Sequence, residues 1–250
     1  MPDLIILHTN DFHGKLSDRA ADRVAREKSS AAGCLLLDAG DAVSSGNIYY
    51  RPRGEPILAR MSDLGYDAMT MGNREFHFLE AGLRSKVKLA RFPVLSANLR
   101  SKNPDVGLSV VPSINLDLKG LKVVVFGLSV PMITKRMLAG MISPFRFEDP
   151  IATAAEIVPE LRSQADVLIA LTHIGLRSDM ELAGAVPGID LIVGGHTHTV
   201  LREPATVGET AIVQAGWWGR HLGKVQLSLD TAKGARPHAS GTLIDLGIAG

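Results

Sequence analysis

The stretch Gly72-Asn73-Arg74-Glu75-Phe76-His77 brings an amide, a guanidinium, a carboxylate and an imidazole together in one short run. It follows the mostly apolar Asp67-Ala68-Met69-Thr70-Met71, and the spacing after it predicts an amphipathic helix. Polar groups crowded at the carboxyl end of a buried strand are where α/β sheets place their sites. Four other apolar runs end the same way: in Asn10-Asp11-Phe12-His13-Gly14, in Asp38-Ala39-Gly40-Asp41, in Thr172-His173, and in Gly194-Gly195-His196-Thr197-His198. Collected, Asp11, His13, Asp41, Asn73, His173, His196 and His198 give four imidazoles, two carboxylates and an amide oxygen. That mixture suits one or two divalent transition metals, and manganese, zinc, iron and cobalt all accept it. In extended backbone, residues two apart face the same side, so Asp11 with His13, and His196 with His198, are expected to aim at one cavity. Glycines 40, 72, 194 and 195 would let the chain turn and keep bulk out of it. Any one of these side chains alone reads as a turn or core residue. Five strand ends finishing in ligand types are hard to obtain from packing alone.

The elements that must position these groups alternate. Apolar runs at 4–9, 34–39, 67–71, 93–97, 122–128, 166–172, 189–194, 211–215, 224–229 and 242–246 predict strands. Periodic segments at 17–28, 55–64, 77–90, 151–163 and 177–185 predict helices. This alternation implies an α/β layered fold with largely parallel strands. Residues 109–129 read as a hairpin turning at Lys119-Gly120, which makes the sheets mixed. Ser, Lys, Asn, Pro and Gly cluster in 100–107 and 231–240, the stretches expected to be least regular. No solenoid-length repeat occurs, and neither cluster has the character of a linker, so residues 1–250 are expected to form a single catalytic domain.

Composition narrows the function classes. Lys+Arg 27 against Asp+Glu 26 leaves a net charge of +1, so no overall field recruits a nucleic acid polymer or an anionic membrane. No apolar run approaches the roughly 18 residues of a membrane span. Cys34 is the single cysteine, set in an apolar run, which excludes an intrachain disulfide framework. The sequence enters a strand at Leu4 with no basic stretch or cleavable apolar segment before it, so a cytoplasmic location is expected.

The segments LHTNDFHG (7–14), LLLDAGDAVSSG (35–46), TMGNREF (70–76), VLSANL (94–99), ADVLIALTHIG (165–175), GIDLIVGGHTHT (188–199) and IVQAGWWGRHLGKV (212–225) follow one another in an order that resembles the calcineurin-like metallophosphoesterases. Within them, the chain is similar to the catalytic domain of the bacterial 5′-nucleotidase family. The resemblance implies a four-layer α/β/β/α sandwich with two mixed sheets and a site for two divalent metal ions. It implies that Asp11, His13, Asp41 and His198 bind one ion. Asp41, Asn73, His173 and His196 would bind the other, with the Asp41 carboxylate bridging. Two such ions can clamp a phosphate and acidify a water.

The chain departs from that family in two places. The usual signature is Gly-Asn-His-Glu, with Phe-Asp commonly following in nucleotidases. Here Arg74 stands in the histidine position and His77 in the aspartate position. Arginine stays protonated at neutral pH and stabilises phosphate without donating a proton. His77 would reach the same space and protonate the leaving oxygen if the helix started at Arg74 or Glu75. The second departure is length, because secreted nucleotidases carry a further C-terminal domain that grips the base and this sequence ends before one. Trp217-Trp218 would then offer a stacking surface for the base.

Three readings follow. One is a metal-dependent hydrolase of small phosphomonoesters, nucleotides foremost. Another is a phosphodiesterase on cyclic nucleotides or other diesters, whose better leaving groups need less proton donation. The third is a metal-binding pseudoenzyme or interaction module.

Overall fold

Leu4 and Ile6 lie in one buried cluster and Ile5 and Leu7 against another, so the first strand is covered on both faces. In the computed structural model, which describes residues 3–118, 120–229 and 237–247, this strand, β1 (Asp3–Thr9), opens the chain. It is followed by α1 (Asp18–Ser30), β2 (Leu35–Asp38), α2 (Pro56–Asp63), β3 (Ala68–Thr70), α3 (Glu80–Val87), β4 (Val94–Leu95), β5 (Leu99–Ser101), β6 (Ser113–Leu118) and β7 (Leu121–Ser129). Then come α4 (Leu138–Ile142), β8 (Phe145–Phe147), α5 (Pro150–Ser163), β9 (Val167–His173), α6 (Leu176–Ala185) and β10 (Leu191–Val193). β11 (Ala205–Val207), β12 (Thr210–Val213), β13 (His221–Ser228) and β14 (His238–Asp245) complete it.

Two six-stranded sheets run in the orders β14-β13-β1-β2-β3-β4 and β11-β12-β10-β9-β7-β6. In each, four adjacent strands are parallel (β1-β2-β3-β4 and β7-β9-β10-β12) and the outer strands antiparallel. The expected mixture of parallel and antiparallel pairing is therefore present, and β1, β2 and β3 are neighbours whose carboxyl ends share one edge.

Three buried clusters order the layers. Ile6, Leu37, Val125, Ile169 and Val193 come from both sheets and fill the space between them. Leu7, Leu36 and Met69 meet Val24, Leu58 and Leu83 of α1, α2 and α3 on the outer face of the first sheet. Val124, Leu168 and Ile192 meet Ala154, Val158 and Leu182 of α5 and α6 on the outer face of the second. The sequence of layers is thus helix, sheet, sheet, helix. Two helix starts are fixed locally: the Ser17 hydroxyl accepts from Ala20 N at 3.1 Å and the Asp149 carboxylate from Ala152 N at 2.8 Å. No helix among the described residues is long and apolar enough to cross a membrane.

Several boundaries differ from the sequence reading. The helix expected over 77–90 occupies only Glu80–Val87, because the chain before it is bent around the site. β5, β8, β11 and α4 are short elements that periodicity does not resolve. β6 and β7 do form the expected hairpin, pairing Leu118 with Leu121, with Gly120 at φ +83°; Lys119 lies outside the described residues. Of the two stretches expected to be least regular, 100–107 begins inside β5, while residues 231–236 lie outside the described residues and His238 already starts β14.

Candidate metal centre

The turn after β1 carries Asp11 and His13, that after β2 carries Asp41, and that after β3 carries Asn73. His173 ends β9, and the loop after β10 carries His196 and His198. All seven converge where the two sheets' strand ends meet. His13 Nε2 and His198 Nε2 lie 3.4 and 3.3 Å from Asp11 Oδ1. His173 Nε2 and His196 Nδ1 lie 3.2 and 3.1 Å from Asn73 Oδ1. Asp41 faces both groups, with Oδ2 3.5 Å from His13 Nε2 and Oδ1 3.5 Å from His173 Nε2.

The backbone aims these groups by a route the sequence does not suggest. Extended strand geometry would align Asp11 with His13 and His196 with His198. Instead Asp11, His13, Asp41, His196 and His198 have φ of 53°, 49°, 57°, 77° and 56°. The left-handed region costs a non-glycine residue about 1–3 kcal/mol and persists where surrounding bonds over-determine it. Trp218, at φ 59°, is the one other such residue among those described. The glycines act by close approach. A Cβ on Gly72 would collide with Asp41, and one on Gly195 would sit 2.6 Å from Ala39 O and 2.9 Å from His173 Nδ1.

Residues not singled out from the sequence hold these turns. Glu75 is fully buried; its Oε2 accepts from Gly72 N and Asp41 N, both at 2.9 Å, and its Oε1 from Val43 N at 3.0 Å. That carboxylate bends the 72–79 segment around the site, which is why α3 starts at Glu80 rather than at Arg74 or Glu75. Asn10 donates to Asp11 Oδ2 at 2.8 Å and accepts from Ala215 N at 2.8 Å. Gln214 donates to Gly195 O at 2.9 Å and accepts from Thr197 Oγ1 at 3.2 Å and from Thr199 N, steadying the loop of His196 and His198. Lys86, also fully buried, donates to Gly46 O at 2.7 Å and to the Arg74 carbonyl. The available signal was a polar residue inside an otherwise apolar strand end, as with Asn10 and Gln214.

The electrostatics fit a cation. Asp11 Oδ1 and His13 Nε2 are buried without a hydrogen-bond partner. Burial opposes charge on Asp11 and Asp41, yet His13, His173 and His198 beside Asp11, and His173 and His13 beside Asp41, hold both carboxyls well below the usual range. Burial also opposes a charged His173, but Asp41 and Asp11 push it up to about 10. His173 lies 2.7 Å from Ala39 O through Nδ1. A proton on that nitrogen donates to the carbonyl, so loss of the other proton leaves the Nε2 lone pair facing Asn73 and Asp41, the arrangement a metal-binding imidazole needs. Buried acceptors that face one another in this way need positive charge between them, and divalent ions supply it. Asp11, His13 and His198 form one such cluster and Asp11, Asp41 and His173 another.

Arg74 and His77 part company. Arg74 reaches the cluster, with Nε 3.6 Å from Asp41 Oδ2, a side-chain bond to Ser44 O at 2.8 Å and its own amide on Asp41 Oδ1 at 2.7 Å. His77 does not. Its Nδ1 accepts from Leu79 N at 3.1 Å, its Nε2 lies 3.1 Å from Ile48 O, and the ring stacks on Phe78 and meets Tyr50 edge-on. Both nitrogens are committed to backbone atoms and the residue is 2% exposed. The expected proton donation by His77 has no free nitrogen to perform it, because the helix that would have turned it inward begins later.

Residues 4–200 match the family model described as calcineurin-like phosphoesterase. The chain is 36% identical to the trifunctional nucleotide phosphoesterase protein YfkN of Bacillus subtilis (strain 168), over 91% of this chain and 18% of that protein. It is 30% identical to the protein UshA of Yersinia enterocolitica, over 89% of this chain and 48% of that one. Among solved structures, the 5′-nucleotidase precursor from Thermus thermophilus superposes with a TM-score of 0.82 at 28% identity, covering 98% of this chain and 54% of that one. The chain thus spans about half or less of the length of these relatives.

Proposed function

The chain belongs to the calcineurin-like phosphoesterases, hydrolases that use divalent metal ions, and from that premise we propose that it hydrolyses phosphomonoesters of nucleotides at a two-metal centre. In this reading Asp11, His13, Asp41 and His198 hold one ion, and Asp41, Asn73, His173 and His196 hold the other. The observation that carries it is Asp41, whose two oxygens face two different histidine groups at 3.5 Å each. The similarity to a nucleotide phosphoesterase and a 5′-nucleotidase supports nucleotides as the substrate class.

Divalent ions held there lend Lewis-acid charge to a phosphoryl group and lower the pKa of water. The protein's own residues do the positioning. The Ala39 carbonyl fixes the His173 tautomer, and Glu75 holds the Asp41 turn. Arg74 adds a fixed positive charge beside Asp41, suited to a phosphoryl oxygen that gains charge in the transition state.

A second reading has its own observation. Neither Arg74 nor His77 presents a proton to a leaving oxygen, so diesters and other esters with good leaving groups need the least from this site. Protein reconstituted with manganese, assayed on nucleoside 5′-monophosphates and on bis(4-nitrophenyl) phosphate, separates the two. Faster turnover of the monophosphates is expected, and turnover of the diester alone would replace the first reading by the second. Asp41→Asn is expected to abolish hydrolysis and drop bound metal below two ions per chain. Full metal content with near-normal activity in that variant would sink the two-metal reading.

A further inference from the structure

The turn Gly216-Trp217-Trp218-Gly219 is bolted to the metal-bearing loop. Asn10 donates to Gly216 O at 2.5 Å, and Trp218 N donates to Asp11 O at 2.8 Å. Trp217 stacks on His198 with ring centroids 5.8 Å apart and planes 19° apart. Lys15 Nζ sits 3.5 Å from the centre of the Trp218 ring, and the Arg220 guanidinium 4.5 Å from that of Trp217. These rings are contacted by His198, Arg220 and Lys15, so the rim offers positive charge beside the aromatic surface expected from the sequence.

That charge is unspent. Among the described residues neither Lys15 nor Arg220 has a carboxylate or a hydrogen-bonded side-chain partner, and Arg220 Nε is buried with no acceptor. Lys15 is exposed while Trp217, Trp218 and Arg220 are partly buried. Aromatic faces attract cations without neutralising them, so the two side chains are held in place with their charge available. An arginine fork in this state matches the paired oxygens of a phosphate.

We propose that Lys15 and Arg220, carried on Trp218 and Trp217, form an anion subsite beside His198 that binds a second phosphate or comparably charged group of an ester whose first phosphate lies at the metal centre. The inference deepens the hydrolase reading and rests on it for the first phosphate. It predicts a preference for nucleoside diphosphates, or other substrates carrying a second phosphate, over singly phosphorylated ones.

Trp217 and Trp218 are the two tryptophans of the sequence, so intrinsic fluorescence reads this turn directly, independent of turnover. The manganese-loaded protein is titrated with methylenediphosphonate and with methylphosphonate. Wild type should bind the diphosphonate at least about tenfold more tightly, and Arg220→Gln and Lys15→Met should each erase most of that margin. Metal sequestration by the diphosphonate affects all three proteins alike, so the difference between them isolates the subsite. Lys15→Met keeps an apolar stem on Trp218 at an exposed position, which preserves a folded comparison even if Arg220→Gln destabilises the turn. In assays, the ratio of kcat/KM for a nucleoside diphosphate to that for its monophosphate should fall by about tenfold in the variants. Equal wild-type affinity for the two phosphonates, or an unchanged margin in Lys15→Met, overturns the subsite. If wild type hydrolyses neither ester, the hydrolase reading fails while the titration still decides the subsite.

Discussion

Replacing one residue in a signature changes what its neighbours are asked to do, and Arg74 and His77 show how. Arg74 keeps contact with the site through its guanidinium, with Nε 3.6 Å from Asp41 Oδ2, and through its own amide, which donates to Asp41 Oδ1. His77 is an anchor: it joins Ile48 O to Leu79 N and packs against Phe78 and Tyr50. The two substitutions should therefore fail differently. Arg74→Ala should lose about 10–100-fold in kcat/KM for every phosphate ester, because a charged contact to the shared group disappears. His77→Ala should cost about 2–4 kcal/mol of stability, from a cavity and orphaned backbone groups, with no dependence on the leaving group. Rates on 4-nitrophenyl and alkyl phosphates, taken with urea unfolding, check both. A loss in His77→Ala confined to alkyl esters would restore His77 as the acid. Reading from sequence, the seven convergent residues stand out because polar groups at the end of an apolar run are conspicuous. The burial and bonding that set His77 apart from them do not, since a histidine looks the same in either role.

At the scale of elements, the turns rather than the strands build the centre. β1, β2 and β3 do run side by side as their apolar character implies, and the β6–β7 hairpin closes with Leu118 paired to Leu121 and Gly120 between them. Periodicity reports core-facing residues, so it locates elements whose faces are buried. It says nothing of the left-handed φ at Asp11, His13, Asp41, His196 and His198, nor of α3 starting at Glu80, because both depend on bonds between distant segments. Glu75 is the chief of these bonds, one carboxylate accepting three backbone N–H groups from two different turns. Glu75→Gln turns one acceptor into an amide donor that faces N–H groups. It should cost about 2–3 kcal/mol of stability and about 10–100-fold in metal affinity, while leaving the ligands themselves untouched. Melting and competitive metal titration measure the two effects. A stable Glu75→Gln protein with unaltered affinity would show that the turns hold their shape without it.

At the scale of the whole molecule, the centre joins the two sheets: Asp11, Asp41 and Asn73 follow strands of the first, and His173, His196 and His198 follow or end strands of the second. Metal binding is therefore linked to global unfolding, because the ligand set exists only in the folded state. Each ion at about 100 times its Kd adds about 2.7 kcal/mol, which for a chain of this size raises Tm by about 5–10 °C. The pH dependence of that increment follows from His173. Without metal, its imidazole is held charged by Asp41 and Asp11, with its pKa up at about 10 against an ordinary 6.5. A folded pKa raised in this way stabilises the metal-free protein fully below about 6.5, and that contribution is lost as pH rises toward 10. In the proposed two-metal reading the ion displaces the same proton, so its apparent affinity grows over the same interval. Both trends have one sign. The gap in Tm between manganese-loaded and chelator-treated protein should widen from pH 6 to pH 8.5, and calorimetry in buffers of different ionisation enthalpy should show proton release on binding. A gap that stays flat or narrows would mean that His173 does not exchange its proton for a metal, and that the carboxylates bind the ions without it.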